Sequence, residues 1–319
     1  MTLKQLAAMA NVSVSTASRA LNDSCEIAPE TREHVLKCAA EHGYFGARKQ
    51  FWLNNSRASQ VTVALILPEA SSADYNQMAS ILIKELRQLG AHCVTYYFDY
   101  DLEYLDLIYS RILNDPSVNA IICFDSVTKS MQNVKMPIVV TMSSPALSFL
   151  DLGGSANGIN LAIEYLVSKG YKDIALACDN RTPNKVYTFS QTMSSITPSP
   201  QIYMSELRDM EAGAVAANKL LASDYMPAAV VCTYDEIAYG FIFSLNKAGV
   251  RVPEDISVIG LNDIPASKHV FGGLTSVKRD CEDTFKEVAA HLVSSVNNRF
   301  FKPAEFKATL KVIERGTVK

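Results

Sequence analysis

The chain has 319 residues, 48% of them hydrophobic and 20% charged, with a formal net charge of −3. That length exceeds one small domain, and the composition is that of a globular protein rather than a disordered or fibrous one. No apolar run reaches the roughly 18 residues needed to span a bilayer, and the overall charge argues against a generic polyanion binder.

The first 21 residues carry two helical patterns. Leu3, Leu6, Ala7 and Ala10 recur at helical spacing behind Thr2, a suitable N-cap. Asn11-Val12-Ser13 then brings turn chemistry, since Asn tolerates the left-handed conformation and Ser13 can cap a second helix. The second apolar stripe resumes at Val14, Ala17, Ala20 and Leu21. Two short helices so joined are either a plain helical hairpin with a hydroxyl-rich face or a helix-turn-helix whose second helix enters the DNA major groove. On the DNA reading Ser13, Ser15, Thr16, Ser18, Arg19 and Asn22 face outward, and Arg19 suits a guanine edge. After a polar connector, a third helix is predicted from Pro29 to about Glu41, with Val35, Leu36, Ala39 and Ala40 inward. Ala28 at its N-cap offers no side-chain oxygen, a loss of about 1 kcal/mol. Residues 1–58 hold seven basic and five acidic groups, a balance of +2 that leaves −5 for the rest. A mildly basic head on an acidic body fits specific DNA binding with modest phosphate contact.

From Gln60 the pattern alternates between strands and helices. Strands are predicted at 61–67, 93–98, 120–124, 137–141, 174–178, 228–232, 256–260 and about 306–313. Helices are predicted at 75–89, 102–113, 158–168, 211–222 and 236–248, several closed by glycine. This spacing implies β-α-β units and parallel sheets, and roughly ten strands imply two lobes. Ligands of such sheets bind beyond the carboxyl ends of the strands. The candidate loops are therefore 68–75, 125–128, 142–144, 179–185, 233–236 and 261–265, facing one another across a cleft.

Enzymatic signatures are missing. The run from Gly153 to Gly158 lacks the ending of a phosphate loop and reads as a turn entering a helix. The five histidines form no metal-binding spacing, no G-x-S-x-G elbow occurs, and Asp99, Asp101 and Glu103 read as a solvated loop. No metal and no cofactor are expected. Seven scattered cysteines without a C-x-x-C pair read as reduced core thiols of a cytoplasmic protein, and the N-terminus shows no signal peptide.

The stretch A-x-x-A-N-V-S-V-S-T-A-S-R-A-L-N (7–22) resembles the opening of the LacI/GalR family of transcription repressors. The likeness continues through Glu30-Thr31-Arg32 and His42-Gly43-Tyr44, returns at Tyr234-Asp235-Glu236-Ile237-Ala238-Tyr239-Gly240, and is close at A-G-V-R-V-P-E-D-I-S-V-I-G-L-N-D (248–263) and Gly273–Val277. It implies a small all-α helix-turn-helix head (1–46), a hinge (47–59) and a two-lobed α/β core of the periplasmic-binding-protein type with parallel sheets (60–319). It implies a homodimer on palindromic operator DNA, without a membrane partner. A tetramer through a C-terminal leucine heptad is not expected. The resemblance extends the DNA contacts to Thr2, Leu3, Val14 and Thr31, to Arg48 on phosphates, and to Leu53 as a minor-groove wedge. Gly46, Ala47 and Gln50-Phe51 depart from the family's hinge, and Trp52 is an unusual neighbour for the wedge.

In the core the resemblance implies a small effector held by Tyr75, Asp125, Tyr187, Tyr234, Asp235 and Asn262. The family's R-x-x-G-[FY] element is absent from Lys185–Ser190. An anionic effector needs a fixed cation, so that absence, with three tyrosines, favours a neutral sugar. Leu-Asn-Asp-Ile-Pro (261–265) is similar to β-galactoside-responsive members. Two other readings stay open: a co-repressor-dependent or ligand-independent regulator of the same architecture, and an enzyme on a Rossmann-like core.

Overall fold

The computed structural model describes residues 2–21, 27–41, 61–124, 128, 136–141, 147–152, 155–197, 199–298 and 302–319. Asn22, Arg48, Leu53 and Asp125, the hinge, and the predicted boundaries at 46 and 59 lie outside them.

Three helices form the head: α1 (Leu3–Met9), α2 (Val14–Leu21) and α3 (Pro29–Glu41). Asn11 adopts φ +51, the left-handed turn expected between the first two. The miniature core is Leu6, Ala7, Ala10, Ala17, Ala20, Val35, Cys38 and Ala39. Cys38 takes the place foreseen for Leu36, which is only half-buried, and Val14, foreseen in the apolar stripe, is exposed.

Among the described residues the core has twelve strands in two six-stranded sheets. The first runs in the order β11 (Glu305–Lys307), β5 (Ser148–Asp151), β4 (Ile138–Val140), β3 (Ala120–Cys123), β1 (Thr62–Leu67), β2 (His92–Tyr97), every pairing parallel. The second runs β12 (Thr309–Ile313), β10 (Ser276–Asp280), β9 (Ser257–Asn262), β8 (Ala229–Cys232), β6 (Ile174–Asp179), β7 (Ile202–Ser205). Here β10 and β12 pair antiparallel, so one edge departs from the all-parallel expectation.

The helices around these sheets are α4 (Ala73–Gln88), α5 (Leu102–Leu113), α6 (Ser155–Ser168), α7 (Pro183–Ser194), α8 (Asp209–Leu221), α9 (Asp235–Lys247) and α10 (Glu282–Asn298). Alternation along β1 shows why the strands are apolar throughout. Val63, Leu65 and Leu67 pack with α4 and α10, while Ala64 and Ile66 pack with α5 on the opposite face. The second sheet is likewise covered on both faces. Gly90 at φ +75 and Gly249 at φ +84 supply the left-handed residue that ends α4 and α9.

Several elements escaped the pattern. Strands β5 and β7 are four residues long, and β10 reads S-V-K-R-D, too polar to register as a buried strand. Helix α7 is rich in Ser, Thr and β-branched or aromatic residues, and tertiary packing of Phe189 and Met193 overrides that low propensity. The chain passes between lobes three times: after β5, between β10 and α10, and between β11 and β12.

Candidate functional site

Two sites emerge, one on the head and one between the lobes. On the head, Thr2 and Gln5 close a capping box at α1, with Gln5 N donating to Thr2 Oγ1 (3.3 Å) and Thr2 N to Gln5 Oε1 (2.7 Å). Ser13 caps α2, its Oγ accepting from Thr16 N at 3.0 Å and lying 2.8 Å from the hydroxyls of Ser15 and Thr16. His34 Nε2 meets Ala10 O at 3.2 Å and ties α3 to the turn. These bonds fix the start of α2 and dock α3 on the turn before it. Ser13, Val14, Ser15 and Arg19 are exposed on it, while Thr16 and Ser18 are half-buried. Thr2 is exposed; Thr31 is half-buried; Leu3 packs against the head's core, which limits what it can offer DNA.

The second site is a cleft of about 380 Å³ at the carboxyl ends of the strands of both sheets, as the candidate loops required. Its apolar walls are Tyr75, Tyr100, Phe124, Phe149 and Tyr234. Tyr75 stands edge-on to Phe124, their ring centres 6.3 Å apart. Asn262 lines the cleft and adopts φ +103, a conformation that asparagine tolerates better than most side chains.

Charged groups supply the rest, and here the sequence-based expectation needs correcting. The cleft does not lack cations: Arg181, Lys185 and Arg279 all line it. Arg181 Nε donates to Asp179 Oδ2 at 2.6 Å, and its two terminal nitrogens reach Glu69 Oε1 (3.2 Å) and Asp209 Oδ1 (3.0 Å). Arg279 pairs with Asp74 Oδ2 at 2.9 Å and donates to Leu152 O at 2.7 Å. Lys185 differs. Its Nζ donates to Thr233 O at 2.6 Å and sits 3.8 Å from the centre of the Tyr234 ring, with no carboxylate in contact among the described residues. Burial first, then repulsion from Arg279, lowers its pKa to about 7. Glu236, also on the lining, has its carboxyl pKa raised by burial. The Thr182 hydroxyl oxygen is buried on the same wall without a hydrogen-bond partner among the described residues.

Two predicted effector residues do not come to the cleft. Tyr187 is 67% exposed on α7 and is absent from the lining. Asp235 is fully buried, its carboxylate accepting from Ile264 N (2.9 Å), Ser267 Oγ (2.6 Å) and Ser276 Oγ (2.6 Å). It ties the loop after β9 to β10 and α9, so it shapes the cleft without facing it. A side chain at Gly260 would overlap that carboxylate, which accounts for the glycine there.

Comparison with known proteins bears on both parts of the chain. Residues 2–46 match the family described as bacterial regulatory proteins, lacI family, and residues 163–318 match a periplasmic binding protein-like domain. A lacI-family head joined to a periplasmic-binding-protein-like domain is the make-up of a LacI-type DNA-binding transcriptional repressor. The PurR repressor of Vibrio cholerae serotype O1 (strain M66-2) is 24% identical over 347 residues, covering 100% of this chain and 98% of its own. Among solved structures, a lac repressor bound to ONPG in the repressed state superposes with a TM-score of 0.75 at 20% identity, covering 99% of each chain. A CelR–cellobiose complex gives 0.68 at 20% identity, again covering 99% of each.

The repressor thus joins a DNA-reading head to a ligand-binding core. Of the effector residues foreseen, Tyr75, Tyr234 and Asn262 line the cleft. Glu69, Arg181, Lys185 and Glu236 were missed individually, although each lies in a loop singled out as a strand's carboxyl end. Arg279 had no such signal, because β10 went unseen.

Proposed function

We propose that the repressor binds a small neutral sugar in the interlobe cleft, and that this binding sets its affinity for a palindromic operator held by a homodimer. The carrying observation is that the cleft's two arginines are already committed to carboxylates. Arg181 contacts three carboxylates and Arg279 one, so neither offers a bare positive charge to an anion. Lys185 is so strongly desolvated that its proton is loosely held near neutral pH. What remains for a ligand is a set of hydroxyl partners, namely Lys185, Glu236, Asn262 and Thr182, between aromatic faces. The volume suits a mono- or disaccharide. The similar structures were solved with cellobiose and with ONPG, which makes β-galactosides and β-glucosides the first compounds to test.

Dimerisation has its own support. Edge strand β2 exposes Val94 and Tyr97, and the neighbouring helix α5 exposes Leu102, Tyr104 and Leu107. Among the described residues no helix is long and apolar enough to cross a membrane. A gene regulator that acts on DNA in the cytoplasm, rather than an enzyme, is the reading all of this supports.

The test is a thermal-shift screen against neutral sugars, uronic acids, sugar phosphates and purines, followed by operator titration with each hit. A ligand at 100 times its Kd stabilises by about 2.7 kcal/mol. A neutral sugar alone should shift the melting curve, and the titration then gives the sign of its effect on DNA binding. A shift with a purine or a sugar phosphate instead would overturn the neutral-sugar reading.

A further inference from the structure

We infer that the cleft carries its own latch: Glu69 of one lobe grips Arg181 and Arg208 of the other, and holds the lobes closed in the absence of an effector. The inference rests on the reading of the cleft as the effector site and says how that site is gated.

Glu69 follows Pro68 at the end of β1, in the lobe built on the first sheet. Its two oxygens go to different arginines of the second lobe, Oε1 to Arg181 Nη1 at 3.2 Å and Oε2 to Arg208 Nη1 at 3.3 Å. Arg208 also lies 5.8 Å from the ring of Tyr100, which again belongs to the first lobe. The Glu69 and Arg181 side chains are 7% and 9% exposed, so the contact is nearly shut off from water, where an ion pair is screened least.

The receiving side is built beforehand. Asp179, fully buried, and Asp209, at the start of α8 with φ +53, hold the Arg181 guanidinium from within their own lobe. Opening the lobes therefore strands no charge. Arg181 keeps two carboxylates, Arg208 is already half-exposed, and Glu69 regains water. Breaking a buried pair is costly mainly when it leaves one partner uncompensated, and here it does not. That asymmetry makes the bridge a reversible catch rather than a permanent tie. A further bridge between lobes, Asp74 to Arg279, is anchored to Leu152 O, close to where the chain crosses between lobes after β5 and after β10. Glu69 is thus the contact that must part when the lobes separate.

An effector would then meet a cleft already biased toward closure, and its apparent affinity would include that bias. The experiment compares full-length wild type with Glu69→Gln, both ligand-free, by small-angle scattering and by hydrogen exchange of residues 68–72 and 206–210. We expect a larger radius of gyration in the variant and about tenfold faster exchange in both segments, with circular dichroism unchanged. Arg208→Gln removes only the half-exposed arm and should give a smaller change of the same sign; it also decides the matter should Glu69→Gln fail to fold. Scattering and exchange identical to wild type in the folded variants would overturn the latch. No ligand enters this experiment, so a failed sugar screen leaves its outcome standing, and the reverse holds as well.

Discussion

Lys185 and Asp235 show how burial decides the role of a single charged side chain. Both are buried in the second lobe, and burial pushes each pKa to about 7 from opposite sides. Asp235 is met by three donors and reads as a structural brace, whereas Lys185 has one carbonyl and a ring face and looks into the cleft. For a lysine whose folded pKa lies below its unfolded value of 10.5, the native state holds fewer protons between the two values. The destabilisation is therefore complete below about pH 7 and vanishes above about 10.5. Lys185→Met should melt above wild type at pH 6–7 by on the order of 2 kcal/mol, after allowing for the lost bond to Thr233. The gap should close as pH approaches 10.5, and the same variant should lose the thermal shift with sugar; melting curves across pH check both. On the head, Arg19→Ala should reduce operator binding about 10- to 100-fold while changing binding to unrelated DNA far less. Equal losses on both DNAs in a titration at fixed salt would assign Arg19 to phosphate instead.

Helices α8 and α9 meet through glycines at reciprocal positions. A methyl group on Gly213 would overlap the backbone of Ile237, and one on Gly240 would overlap the Met210 carbonyl oxygen. The two helices thus pack backbone to backbone, with Ala212, Ala216, Ile237 and Phe241 in the core around the contact. Gly240 also closes the Asp235–Gly240 segment, whose first residue braces the cleft. Gly240→Ala should cost more than the roughly 1–3 kcal/mol of ordinary overpacking, because the obstacle is main chain and cannot change rotamer. Urea denaturation measures this, and a loss below 1 kcal/mol would mean that the helices part readily.

At the scale of the molecule, head and core differ sharply in what they bury. Among the described residues the head's core has eight buried side chains, five of them alanine, whereas each large sheet is covered on both faces by Leu, Ile, Val and Phe. So small an apolar core supports a domain only marginally. Ala28 adds to the deficit, since its carbonyl accepts from Arg32 N at 3.0 Å in the N-cap position while its side chain accepts nothing. Calorimetry should show two transitions, the lower belonging to the head and rising with operator DNA. Ala28→Ser should raise that lower transition by several degrees, for about 1 kcal/mol, and leave the upper one unmoved. A single transition that DNA shifts as a whole would show head and core unfolding together.

Much of this architecture was legible from residue order alone, because periodicity, capping and turn chemistry act between near neighbours. Thr2, Asn11 and Ser13 announced the turn between α1 and α2, and glycines announced the ends of α4 and α9. Apolar runs marked most strands, and the rule for their carboxyl ends marked most of the cleft. What remained hidden depends on residues far apart in the chain. Polar β10 is a strand only because β9 and β12 flank it. Glu69 meets Arg181 across 112 positions and Asp74 meets Arg279 across 205, so no local pattern could show whether the cleft's cations were present or already paired. Likewise, Asp235 and Tyr187 sit in plausible motifs, and only packing reveals one buried beneath the cleft and the other turned to solvent. Local order determined most of the elements and the family resemblance; the tertiary structure decided the electrostatics, because a charge takes its meaning from neighbours that only the fold supplies.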